Sequence, residues 1–225
     1  NFRRFLGFAA FWQFGVMIGG PFVVPYWLEE LRMSFTQVAW WSAIAATTGL
    51  ATTALWGRLA DRIGNRPVLA IGTFLAGALL PVNWILAGLT GNLTFIWISA
   101  FCDALAWGAI HPSTFNLALN SAPRNGRMKF IAMHSLVQGA FGFLGGALSG
   151  PLLVFLQGLS WPGGWNGYHS LFVITAVLRM LGCLWVRRVD EDGAWRVRDL
   201  LRAATGRFRR RAPLNLAPDS PVEPQ

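Results

Sequence analysis

The chain has 225 residues, 54% of them hydrophobic and only 13% charged, about half the charged share of an ordinary soluble domain. That excludes a water-soluble globule, because the charges are gathered into short clusters between long charge-free stretches that only a bilayer can solvate. About 20 apolar residues cross a bilayer, so the chain holds six spans with loops and a tail and cannot hold twelve.

Phe5 to Leu28 carries no charge and predicts a first span over about 5–28. The polar step Glu29, Glu30, Leu31, Arg32 precedes a second charge-free run, predicting a span over 34–56. From Pro67 onward the next run is broken by Thr90, Gly91 and Asn92 into spans over 67–89 and 93–119, the latter holding Asp103, His111 and Pro112. A fifth span is expected over 129–157. After the Gly- and Pro-rich cluster Gly158 to Gly167 a sixth runs over 168–187 around Arg179. Residues 1–187 thus form one six-helix transmembrane domain. Residues 188–225 form a basic tail in which Trp195, Leu200, Leu201, Ala204 and Phe208 recur at helical spacing among arginines, predicting an amphipathic helix over about 194–208 before a disordered, Pro-rich end. Cys102 and Cys183 fall inside apolar runs and read as small buried hydrophobes.

The net charge of +9 follows topology. Of the 19 Lys and Arg, 17 lie in the N-terminus, the second and fourth loops and the tail, the exceptions being Arg32 and Arg179. The positive-inside rule then puts both termini in the cytoplasm of a bacterial inner membrane, against an anionic inner leaflet, and no nucleic acid is needed to explain the basicity. No phosphate-cradling loop, metal-spaced Cys or His set, or nucleophile elbow is present, so neither an enzyme nor a metal protein is expected.

The second loop reads Gly57-Arg-Leu-Ala-Asp61-Arg62-Ile-Gly64-Asn65-Arg66-Pro-Val-Leu. This closely resembles the signature loop of the major facilitator superfamily, with Asn65 where a basic residue is usual. The resemblance implies an all-α polytopic fold, six transmembrane helices forming one half of a transporter from two inverted three-helix repeats. The opening Asn1-Phe-Arg-Arg-Phe5 makes that half most like the C-terminal one. In the superfamily the loop is an inner latch, which would make Gly57, Asp61, Arg62, Gly64 and Arg66 a gating set. From physics alone, Gly57 and Gly64 allow a sharp turn and Asp61 can meet a helix N-terminus or a guanidinium.

Breaks at Gly20-Pro21 in the first span and at Gly108 and Pro112 in the fourth are the paired interruptions an inverted repeat predicts. Gly142, Gly146 and Gly150, ahead of Pro151, predict close helix packing on the fifth span.

Asp103 and Arg179 both lie roughly 15 Å deep, where an isolated charge costs at least about 2.5 kcal/mol. Asp103 is therefore a proton or substrate site or the counter-ion of Arg179. His111 and His134 offer a titrating relay, axial ligation of a haem or chlorophyll-type pigment, or plain helix contacts; with the last, no cofactor is expected. Gln138 and Gln13 complete the intramembrane polar set.

Two functions stay open. One is half of a secondary active transporter that moves a small solute, ion- or proton-coupled, by alternating access against a second six-helix half. The other is a non-transporting structural or accessory subunit of a larger integral membrane complex, energy-transducing or pigment-containing, with another membrane protein as its partner.

Overall fold

The computed structural model describes residues 2–122, 126–191, 194 and 195, and within them the chain is all-helical. The first span is broken: α1 (Phe2–Gly19) passes through a 3-10 turn at Gly20–Phe22 into α2 (Val23–Glu29). Pro21 supplies no N–H and sets the turn at the expected place. The other elements are α3 (Phe35–Ile63), α4 (Asn65–Thr90), α5 (Thr94–Ser121), α6 (Arg127–Gln157) and α7 (Gly167–Val186). A capping box between Ser34 and Gln37 starts α3, and Gly91 in the left-handed region ends α4.

Three expectations are corrected. The second span does not stop before Gly57: α3 runs on through the latch sequence to Ile63, and the only turn residue is Gly64, at φ 96°. A lone glycine does not end a helix whose neighbours keep their hydrogen bonds, whereas a positive φ does. The fourth span is unbroken, since α5 continues through Gly108 and Pro112. Ala194 and Trp195 are not helical, and the rest of the expected amphipathic helix lies outside the described residues.

Among the described residues five helical segments are long and apolar enough to cross a membrane: α1 with α2, α4, α5, α6 and α7. The sixth, α3, has ample length at 29 residues but is the least apolar of the long helices, being built from Ala, Thr and Trp. Its hydroxyls are satisfied at short range. Thr47 donates to the Ala43 carbonyl at 2.8 Å and Thr53 to that of Gly49 at 2.7 Å.

Packing follows a two-fold logic. α1 packs on α6 as α5 packs on α3, α1 on α7 as α5 on α4, and α4 and α7 pack on each other. Exchanging the first three spans for the last three returns the same contacts, which is the signature of two three-helix repeats. Close approach is made by small residues on α1 and α4. A Cβ on Gly72 would stand 2.9 Å from Ala109 Cβ of α5, one on Gly77 3.1 Å from Arg179 Cβ of α7, and one on Gly15 3.0 Å from Leu178 Cβ of α7. Most buried large side chains, among them Phe5, Phe8, Trp27, Leu69, Leu80, Ile96 and Phe172, join one core.

Candidate functional site

The latch segment divides at Gly64. Upstream, Arg58, Asp61 and Arg62 project from the last turns of α3, exposed and with no side-chain hydrogen bond or ion pair to any described residue. Downstream, the chain is clamped. The Asn65 backbone N–H and side-chain amide each donate to Glu191 Oε1 at 3.0 Å, and the Arg66 N–H donates to Oε2 at 2.6 Å. Glu191 thus caps α4, putting a carboxylate on the positive end of that helix from 126 positions away in sequence. Arg66 closes the strap by donating to the carbonyls of Val189 at 3.3 Å and Trp195 at 3.1 Å, and the Trp195 N–H donates to the Ile63 carbonyl at 2.9 Å. A side chain at position 64 has no room, because a Cβ there would lie 2.6 Å from Ala194 Cβ.

Asp103 sits half-buried on α5, with the Trp107 indole one turn on along the same face. His111, a further turn along, is exposed and stacks on Trp107 with ring centroids 5.1 Å apart. Trp12 of α1 meets Trp107 edge-on at 6.4 Å. One face of α5 therefore carries a carboxylate, an indole and an imidazole, with the first span alongside.

Arg179 is 2% exposed. Its Nη1 donates to the Ala76 carbonyl of α4 at 3.1 Å, and its guanidinium carbon lies 6.0 Å from the Trp84 ring centroid. The direct pairing with Asp103 that the sequence permits is not formed. The two charges interact across space, but the ion pair in contact among the described residues is the exposed Arg4–Asp190, at 2.9 Å. A backbone carbonyl and an indole face meet the guanidinium locally, while its buried Nε has no hydrogen-bond partner among the described residues.

The other candidates scatter. His134 is buried on α6, stacked on Phe5 of α1 at 5.1 Å, while Gln138 is half-buried on the same helix. Gln13 packs over Gly142, whose Cβ would meet its Cγ at 3.2 Å. Gly142 and Gly145 serve the α1–α6 contact. Gly146 and Gly150 do not, because a Cβ added at either would meet nothing within 4 Å; their row faces away from the bundle. Four-residue spacing locates a small-residue ridge without saying which neighbour uses it.

Two features escaped sequence reading. Glu191 has no local signature. His169, which joins Tyr26 and α4 at the opposite end of the bundle, does have one: Asn166 and His169 have N-cap and N3 spacing.

A bundle of two three-helix repeats, with a charged corner around Gly64 at one end and partly exposed polar groups on its fourth span, defines a polytopic helical membrane protein built like one half of a secondary transporter. The family model of the Major Facilitator Superfamily matches residues 5–217, and the chain belongs to that superfamily. It is 31% identical over 194 residues to the Probable nitrate/nitrite antiporter NarK1 of Thermus thermophilus, covering 83% of this chain and 40% of that protein. It is 22% identical over 152 residues to the Riboflavin transporter RibZ of Clostridioides difficile, covering 67% of this chain and 30% of that one. The chain thus spans well under half the length of these curated relatives.

Proposed function

We propose that these six spans are one half of a secondary active transporter, moving a small solute by alternating access, with ion or proton coupling, against a second six-helix half. The observation that carries this reading is the divided latch. Its back is fixed to the rest of the bundle through Glu191, while Arg58, Asp61 and Arg62 are held out at the end of α3 with no partner among the described residues. A rigid mount that presents an unsatisfied carboxylate and guanidinium suits a gate closed by another domain.

The second half would cover α3 and α6, the helices with the least buried surface. On α6, Gly139, Gly146 and Gly150 form an open row flanked by Leu136, Phe143 and Val154, the side-chain pattern against which another helix packs closely. The cavity would lie along α5, where His111 is exposed roughly 15 Å from the inner helix end and must meet water or substrate instead of lipid. Asp103 is the candidate coupling carboxylate. In this reading both termini and the basic loops face the cytoplasm of a bacterial inner membrane. The name of the Thermus relative makes a small oxyanion the first substrate to try.

The test is counterflow of labelled nitrate or nitrite in proteoliposomes holding the full protein. Asp61→Asn and Arg62→Gln should each lower the rate at least tenfold with the fold intact. Undiminished exchange in both variants would remove the latch from the mechanism. Copurification in fixed stoichiometry with unrelated membrane proteins, and no solute movement, would replace transport by the structural-subunit reading.

A further inference from the structure

At the end of the bundle away from Glu191, three elements meet at His169. Its backbone N–H donates to Asn166 Oδ1 at 3.1 Å, and its Nδ1 accepts the Asn166 backbone N–H at 3.2 Å, closing the capping box that starts α7. Because Nδ1 accepts, the neutral ring carries its proton on Nε2. Nε2 lies 3.1 Å from Tyr26 Oη, and the Tyr26 hydroxyl donates to the Trp84 carbonyl of α4 at 3.0 Å. The order of donors is thereby fixed: Asn166 to His169, His169 to Tyr26, Tyr26 to Trp84. Tyr26 is fully buried and His169 nearly so. A Cβ added at Gly88 would fall on both Tyr26 Oη and His169 Nε2, so α4 has a glycine where the pair needs the space.

This chain of hydrogen bonds has no place for a second ring proton. We infer that His169 is a proton-operated clasp: its neutral form ties α2 to α4 and α7, and proton uptake at Nδ1 undoes the tie. An Nδ1–H would face the Asn166 N–H donor to donor, opening the capping box and turning the ring away from Tyr26. Tyr26 would then lose the donor that orients it. α2 is the segment this releases, since it joins α1 only through the 3-10 turn at Gly20–Phe22.

The titratable groups of the cluster are Tyr26 from α2 and Tyr168 beside His169 on α7, with their rings 5.4 Å apart. The charged groups placed with these tyrosines are Glu29, which accepts from the Tyr168 hydroxyl at 2.9 Å, and Glu30. α4 contributes Gly88, the Trp84 carbonyl and, through Phe172, the Trp84 ring, α6 the neutral Gln157 against Gly167, and the preceding loop Trp165, 5.3 Å from the imidazole. The clasp stands on its own geometry, whether or not the chain transports.

The experiment uses the full protein in lipid nanodiscs with ring-15N histidine. The three histidines of this chain are assigned by His111→Gln and His134→Gln. At about pH 8 the His169 signal should be that of the Nε2–H tautomer, and it should pass to imidazolium on acidification to about pH 5. Over the same interval amide exchange in 166–170 and 23–29, corrected for intrinsic rate, should rise about fivefold, the change that loss of one helix cap produces. His169→Gln should abolish that pH dependence. Tyr26→Phe, which keeps the ring and its packing, should leave 23–29 fast at both pH values while 166–170 still responds to acid. An Nδ1–H tautomer at neutral pH, titration without a change in exchange, or an unchanged acid response in His169→Gln would each overturn the clasp.

Discussion

α4 and α7 pack on each other and on the spans beside them, while α3 and α6 lie at the margins of the contact network, although all four are long helices. The difference lies in how each glycine and each polar group is used. On α4, Gly72 and Gly77 are spent on α5 and α7, and on α7 Arg179 is spent on the Ala76 carbonyl. On α6, Gly139, Gly146 and Gly150 face open space, and on α3 only Thr52 and Ile63 are buried. A bundle uses small residues where its own helices meet, and this row of α6 is not used among the described helices.

The strongest way to break this comparison is steric. Gly72→Leu would drive a side chain into Ala109, Ile110 and the Ala106 carbonyl and is expected to cost about 3 kcal/mol, while Gly146→Leu should cost less than about 0.5 kcal/mol in this unit. Denaturation in mixed micelles reads both, and equal losses would erase the distinction. Arg179→Met comes next. It leaves Asp103 half-buried without the nearby guanidinium, for an expected loss of about 2 kcal/mol, and Asp103→Asn in the same chain should restore part of it. A double-mutant cycle with no coupling would mean the two charges do not sense each other.

Glu191→Gln removes the charge of the α4 cap and turns one of its two accepting oxygens into a donor, with an expected cost of about 1 kcal/mol or more, part of which falls as salt is added. Asp61→Asn, on the exposed side of Gly64, should leave the stability of the unit unchanged in the same assay. Tyr26→Phe removes two interhelical hydrogen bonds, for an expected loss of about 1 kcal/mol at the roughly 0.6 kcal/mol typical of each in a membrane protein.

The sequence was informative where the physics is local. Charge-free runs set the spans, Gly20-Pro21 marked the break between α1 and α2, and Gly64 marked the sharp corner. Gly57 and Pro112 misled, because a spanning helix has no water to stabilise a break and continues through either residue when its neighbours keep their hydrogen bonds. Asp103, His111 and their shared face were legible from helical spacing. Glu191 on Asn65 and Arg66, and Tyr26 on His169, were not. Those contacts join residues more than 120 positions apart, and nothing in either segment alone points to the other.

The central claim is that α3 and α6 face protein while other exposed apolar residues face lipid. Exposure alone does not separate them: Leu50 of α3 is 80% exposed and Phe143 of α6 75%, while Val177 and Leu184 of α7 are each 52% exposed. A photo-crosslinking amino acid placed at each of the four positions of the full protein in its native membrane separates them directly. The account predicts adducts to protein segments outside these six spans from positions 50 and 143, and adducts to lipid from 177 and 184. Lipid adducts from all four, or protein adducts from 177 and 184 alone, would contradict it.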